Sequence, residues 1–168
     1  MMIKNMSIKS KLISKFTELL DGPLTLDKAI AIAVVAHAGQ EDKGENAYIR
    51  HPLRVMEHLD SEDEMICGVC HDLVEDTFVN FEDLHDLHFT QHQIKVINSV
   101  TKRDGETYPE RIERVKKSYV GKKIKIHDIK DNSQLWRLKN RRLTEKDMIR
   151  QQHYIDALAE LGGLEKDI

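Results

Sequence analysis

Four ionisable side chains, His71, Asp72, Glu75 and Asp76, fall inside the otherwise apolar run Cys67-Gly68-Val69-Cys70-His71-Asp72-Leu73-Val74-Glu75-Asp76-Thr77. An imidazole beside a carboxylate suits a divalent metal, and a second carboxylate pair one helical turn on could handle protons next to it. If the run is helical, residues four apart share a face, which puts His71 beside Glu75 and Asp72 beside Asp76. Ser61-Glu62-Asp63-Glu64 has the form of a capping box that would start such a helix. A lone His-Asp pair fits a solvated helix end equally well, so the long-range partners matter. His51 and Asp128 could complete a set of two imidazoles and two carboxylates. That mixed nitrogen and oxygen set suits Mn²⁺, Fe²⁺ or Zn²⁺, with positions open for water and a phosphate oxygen.

The same run spells C-x-x-C-H, the pattern of covalent haem attachment, and contains C-x-x-C, which could be a redox pair or half a zinc site. Haem attachment needs export, and no export signal is visible. The chain has only these two cysteines, so a cysteine-based zinc site has no second half. Small apolar packing in a buried helix accounts for both.

The elements that would position these groups are helical. Of 168 residues, 33% are charged and only 3 are proline and 8 glycine, a composition that disfavours a sandwich or barrel. Ser7 to Leu20 carries a helical stripe, Ile8, Leu12, Ile13, Phe16, Leu19 and Leu20, stopped by Gly22-Pro23. Thr25 is placed to cap a helix running to about Gly39, with His37 near its end. Gln40 to Asn46 reads as a loop. Pro52 suits the first position of the next helix, which sets His51 just ahead of it. Asn80 and Thr90-Gln91-His92-Gln93 cap two further helices, and Pro109 starts another that Gly121 breaks. Lys122 to Lys139 is expected to be helical from the spacing of Ile126, Ile129, Leu135 and Leu138, which places Asn132 one turn beyond Asp128. Thr144 with Asp147 caps the last helix, which ends at Gly162-Gly163. The expectation is one all-α domain over residues 1–168, a helical bundle.

The formal charge of -3 gives no global pull toward nucleic acid or membrane, so an anionic ligand must be held locally. No apolar run is long enough to span a bilayer, and Met1 to Lys15 lacks the apolar core of a signal peptide, which implies a cytoplasmic protein. His85, His88 and His92 read as surface polarity, Trp136 as core, and the basic run Arg137 to Arg142 as a solvated helix end. Nothing in the sequence sets the oligomeric state.

Several motifs occur in a fixed order: His37-Ala38-Gly39-Gln40, Ala47-Tyr48-Ile49-Arg50-His51-Pro52, His71-Asp72-Leu73-Val74-Glu75-Asp76-Thr77, Val100-Thr101-Lys102 and Asp128-Ile129-Lys130-Asp131-Asn132. Over about residues 26–160 this series resembles the HD-type hydrolase domain of the RelA/SpoT family, which removes the 3′-diphosphate from guanosine tetra- and pentaphosphate alarmones. What remains is too short for a synthetase domain, as in the small stand-alone hydrolases. The resemblance implies His51, His71, Asp72 and Asp128 as ligands of a metal, usually Mn²⁺. It implies Glu75 and Asp76 as the catalytic carboxylates and Asn132 as a nucleotide contact. Lys43 falls at a basic position of the substrate loop, Tyr154 is a candidate nucleotide contact, and Lys102 and Arg103 are candidates for neutralising phosphates.

The chain departs from the family pattern in two places. The loop that usually reads Arg-Lys-Ser-Gly is here Asp42-Lys43-Gly44-Glu45, and an acid cannot stack on a base as a guanidinium does. Ser133-Gln134-Leu135-Trp136 replaces the usual Met-Arg-Thr-Leu. The base therefore stays open. Alternatives are an adenine alarmone, a phosphorylated dinucleotide such as NADPH, a deoxynucleoside triphosphate, or a non-catalytic binding protein of the same fold.

Overall fold

The computed structural model describes residues 7–138 and 142–164. The first residues of the Met1 to Lys15 stretch, the end of Lys122 to Lys139 and the middle of the Arg137 to Arg142 run lie outside them. Among the described residues the structure is helical, no strand forms, and an isolated antiparallel bridge joins Glu41 to Ala47. No helix among them is long and apolar enough to cross a membrane.

Helix α1 (Ile8–Leu20) starts at Ser7, whose hydroxyl accepts the Ser10 N–H, and ends before Gly22 at φ 75°. Its stripe is real but buries nothing fully; Leu20 is the part that reaches the core. Helix α2 (Leu26–Ala36) buries Ala29, Ile32, Ala33 and Ala36, and the three alanines let it lie close to α4 (Glu62–Val69). Thr25 occupies the cap position, but its hydroxyl bonds the Asp27 carboxylate rather than a backbone N–H.

Several boundaries differ from the sequence expectation, among them that of the helix expected over Lys122 to Lys139, which ends at Asn132. Helix α3 (Arg50–Glu57) begins before Pro52, so His51 lies inside its first turn. The central helix is broken: α4 ends at Val69, Cys70 to Asp72 form a turn, and α5 (Leu73–Asp76) is a single turn. Ser61 does cap α4, but Glu64 reaches back to the Asp60 N–H rather than to Ser61. After α6 (Phe81–Asp86), α7 (Gln91–Val100) and α8 (Tyr108–Val115), helix α9 runs Tyr119–Asn132. The helix that Pro109 starts is not ended by Gly121: α8 stops at Val115, and Gly121 falls inside α9. It lies in the first turn, where a Cβ would come within 2.1 Å of Ser99 Oγ, so glycine is what lets α9 approach α7. A 3₁₀ turn (Leu135–Leu138) follows, and α10 (Glu145–Leu161) ends at Gly162, φ 68°, as expected.

The apolar side chains form two adjoining clusters. One gathers Ala29, Ile32, Leu73, Leu84, Phe89 and Ile97; the other gathers Val55, Val100, Ile112, Val115, Ile124, Ile129 and Leu161. Helices α4 and α7 contribute to both, and α3 packs on α4 and α9. That packing brings the start of α3, the α4–α5 turn and the last turns of α9 to one point. The cysteines sit in these clusters as free thiols, with burial pushing Cys67 up to about 12 and Cys70 well above its usual value, so they act as packing groups.

The loop after α2 is organised by Asp42. Its Oδ1 accepts the Gly44 N–H at 2.8 Å, the Asn46 N–H at 3.0 Å and the Asn46 Nδ2 at 3.3 Å, while Oδ2 meets Arg137 Nη2 at 3.0 Å. Gly44 runs against the Arg137 backbone, where a Cβ would stand 1.9 Å from the carbonyl oxygen. Burial works to raise the Asp42 pKa, but these hydrogen bonds outweigh it and lower it from 3.8 to about 2. A depressed carboxylate stabilises the fold above its unfolded pKa and loses that contribution as pH falls through the folded one. Asp42→Asn should therefore cost about 2 kcal/mol at neutral pH, with the difference from wild type shrinking between pH 4 and pH 2, read from urea midpoints across pH. Leu73, fully buried beside the Cys70 to Asp72 turn, should lose about 2–5 kcal/mol on Leu73→Ala by the same measurement.

Candidate metal centre and active site

The four groups that spacing could only suggest converge at the point where α3, the α4–α5 turn and α9 meet. His51 Nε2 lies 3.6 Å from Asp72 Oδ2 and 3.3 Å from Asp128 Oδ1; His71 Nε2 lies 3.0 Å and 3.9 Å from the same atoms. The tightest group is His51, His71 and Asp72, with ligand atoms all within 4.8 Å of one another, and Asp128 closes it from α9.

Each ring is held from behind. His71 Nδ1 donates to the Gly68 carbonyl at 2.7 Å, and His51 Nδ1 donates to Asp131 Oδ2 at 2.6 Å. With the proton fixed on Nδ1, the neutral rings turn their Nε2 lone pairs inward, and both Nε2 atoms are buried without a hydrogen-bond partner. Two orphaned imidazole nitrogens and two carboxylate oxygens aimed at one place fit a divalent metal. The electrostatics agree. Burial works to lower His51, but Asp128 and Asp131 outweigh it and raise it to about 9; His71 is also raised, by Asp72, against burial. Burial works to raise Asp72 and Asp128, yet His71 beside the first and Lys125 beside the second hold them well below the usual carboxylate range. The centre stabilises positive charge.

The two carboxylates of α5 part company. Asp76 stays at the site, where Tyr48 OH lies 3.0 Å from its Oδ2 and 2.6 Å from Asp72 Oδ2. A hydroxyl has one proton, so both contacts are satisfied together only when one of the two carboxyls carries another. Burial and the Asp72 charge raise Asp76 above its ordinary pKa in that direction. Glu75 turns away from His71, contrary to the continuous-helix expectation. It accepts Arg111 Nη2 at 2.7 Å and the Lys102 backbone N–H at 2.9 Å. The break in the helix is the reason, since α5 restarts with its own rotation. Gln40 links this region to His37, accepting from His37 Nδ1 at 2.7 Å and donating to the Asp76 carbonyl at 2.7 Å.

The centre lies in a cavity of about 420 Å³, a volume suited to a small-molecule ligand. Lys43, Glu75, Asp76, Asn132 and Tyr154 line it. Asn132 Nδ2 is already engaged with Asp128 Oδ1 at 2.5 Å. Lys102 and Arg103 do not line it. The cations that do, besides Lys43, are Arg111, Lys125, Arg137 and Arg150, which the sequence reading did not place there. Arg137 is 8% exposed rather than solvated, and Trp136 is 52% exposed rather than core, with the Arg54 guanidinium 5.9 Å from its ring centre. His92 lies on the surface as expected. Asp131 was the one signal within reach, one helical turn after Asp128; the arginines have no local signature because distant helices bring them in.

No family model matches the sequence. Among solved structures, the chain is similar to a metazoan ortholog of SpoT that hydrolyses ppGpp and plays a role in starvation responses. The TM-score is 0.66 at 25% sequence identity, over 81% of this chain and 88% of that one. In fold, the chain is similar to an HD-domain hydrolase of the RelA/SpoT type.

Proposed function

We propose that the protein is a metal-dependent nucleotide phosphohydrolase that removes the 3′-diphosphate of ppGpp, giving GDP and pyrophosphate. One observation carries the reading: two buried imidazoles with unpartnered Nε2 atoms meet Asp72 and Asp128, which line a cavity where cationic side chains stand among further acids. The similarity to a ppGpp-hydrolysing protein supports the substrate. His51, His71, Asp72 and Asp128 would hold the metal, Mn²⁺ in this reading. Bound there, it would supply positive charge to phosphate oxygens and a lowered pKa to water.

The remaining chemistry belongs to the chain. The attacking water oxygen joins the phosphorus attached to O3′, the P–O3′ bond breaks, and the departing oxygen needs a proton. Asp76 is the group placed to hold that proton, with Tyr48 as its hydrogen-bond partner. Glu75, fixed by Arg111, orients the reacting water or phosphate from the other side. Lys43, Lys125, Arg111 and Arg150 offset phosphate charge, and Asn132 and Tyr154 contact the nucleoside.

A second reading keeps this chemistry and changes the base, to ppApp, NADPH or a deoxynucleoside triphosphate. It is favoured by Asp42, which is committed to its own loop and to Arg137 and offers no guanidinium to a purine. A non-catalytic binding protein is the remaining reading. Incubating the purified protein with Mn²⁺ and each nucleotide, with a chelator control and anion-exchange separation, distinguishes them. Chelator-sensitive conversion of ppGpp to GDP and pyrophosphate is expected. Turnover confined to another nucleotide would move the specificity, and silence across the panel by metal-loaded protein would sink the enzymatic reading. His71→Ala should abolish turnover and metal binding together, and Asp76→Asn should lower kcat about 10²–10⁴-fold with metal content unchanged.

A further inference from the structure

Arg137 belongs to none of the roles above, yet its guanidinium has more partners than any other at the site. Nη2 meets Asp42 Oδ2 at 3.0 Å. Nη1 donates to Asp131 Oδ2 at 2.7 Å, to the Asp131 carbonyl at 3.1 Å and to Asn132 Oδ1 at 3.2 Å. Both acids it bridges have a second duty. Asp42 organises the loop through the Gly44 and Asn46 amides. Asp131 holds the His51 ring in place, and it is also clamped by Arg54, whose Nη2 lies 3.0 Å from Oδ2. Asn132, the third partner, donates to Asp128.

Two unbroken chains of contacts therefore leave one buried side chain. One runs Arg137–Asp131–His51 and the other Arg137–Asn132–Asp128, both from Nη1, while Nη2 grips the loop. The Arg137 backbone also abuts Gly44, too closely for any side chain there. Loop and centre are thus fastened to the same group by side chain and main chain.

We propose that Arg137 is a positioning residue that ties the loop of residues 41–47 to the His51 and Asp128 side of the centre, so that divalent-cation affinity and loop order are linked. The proposal rests on the centre binding a metal. Linkage is reciprocal: a cation that fixes His51 and Asp128 favours the arrangement in which Arg137 grips Asp42, and loosening that grip weakens the cation. A bare fold-stapling ion pair would change stability alone. The planar fork matters here, since Nη1 and Nη2 meet Asp131 and Asp42 separately, whereas a lysine would have to reach both acids from one nitrogen.

The test uses the full chain, with Mn²⁺ affinity from calorimetry and hydrogen exchange at the Gly44 and Asn46 amides. In the wild type, Mn²⁺ should slow exchange at both amides. Arg137→Lys should raise the Mn²⁺ Kd about tenfold and abolish that protection. Asp42→Asn touches no group of the centre, yet should raise the Kd about fivefold. Val79→Ala, a core truncation elsewhere, controls for general loss of stability and should leave the Kd unchanged. Kd values for Asp42→Asn and Arg137→Lys within about twofold of wild type would overturn the proposal. So would an equal loss in Val79→Ala, or loop exchange indifferent to Mn²⁺ in the wild type. A wild type that binds no Mn²⁺ would overturn the metal reading itself, and the proposal with it.

Discussion

The structure depends on two imidazoles being fixed at Nδ1, so that their Nε2 atoms face one buried point. A histidine ring has two nitrogens, and whichever bonds the surroundings decides what the other can do. Here a main-chain carbonyl takes one ring and a carboxylate takes the other. The helices around the site follow from that requirement. The start of α3 must present His51, α4 must end early enough to turn His71 inward, and α9 must bring Asp128 and Asp131 on one face. Gly121 makes the last of these possible by letting α9 approach α7.

Buried charge at such density is tolerable only when each group has partners. Asp128 is bracketed by Lys125, Asn132 and His51, and Asp131 by His51, Arg54 and Arg137. The same compensation explains why the α5 carboxylates differ. Glu75 has Arg111 and a main-chain N–H, whereas Asp76 has the Tyr48 hydroxyl and the unfavourable charge of Asp72. Two adjacent carboxylates thus sit in different surroundings, Glu75 anchored by Arg111 and Asp76 raised above its ordinary pKa.

Much of this was legible in the sequence. The all-helical fold, the caps at Asn80, Thr90 and Thr144, the stop at Gly162 and the set His51, His71, Asp72 and Asp128 all follow from residue type, spacing and motif order. The failures share one cause, that local periodicity is blind to what another helix needs. The run through Cys70 looked helical because its apolar residues continue, but turning His71 and Asp72 to a common point required a break. Gly121 looked like a breaker because glycine destabilises a helix, but the close approach of Ser99 outweighs that propensity. Arg137 looked like one of a solvated basic run because its acids lie far away in sequence, at Asp42, or in the turn before it, at Asp131.

The early end of α4 has an electrical consequence. Peptide dipoles aligned along a helix leave about half a negative charge at its C-terminus, carried by carbonyls without helical partners. In α4 those carbonyls belong to the turn that carries His71, and the Gly68 oxygen accepts from His71 itself. Breaking the helix at Cys70 therefore does more than aim two side chains. It leaves the negative pole of α4 beside the cluster of His51, His71, Asp72 and Asp128, where a continuous helix would have carried it on to Asp76. The main chain thus adds to the field that the aspartates set up, without adding another ionisable group to a crowded interior.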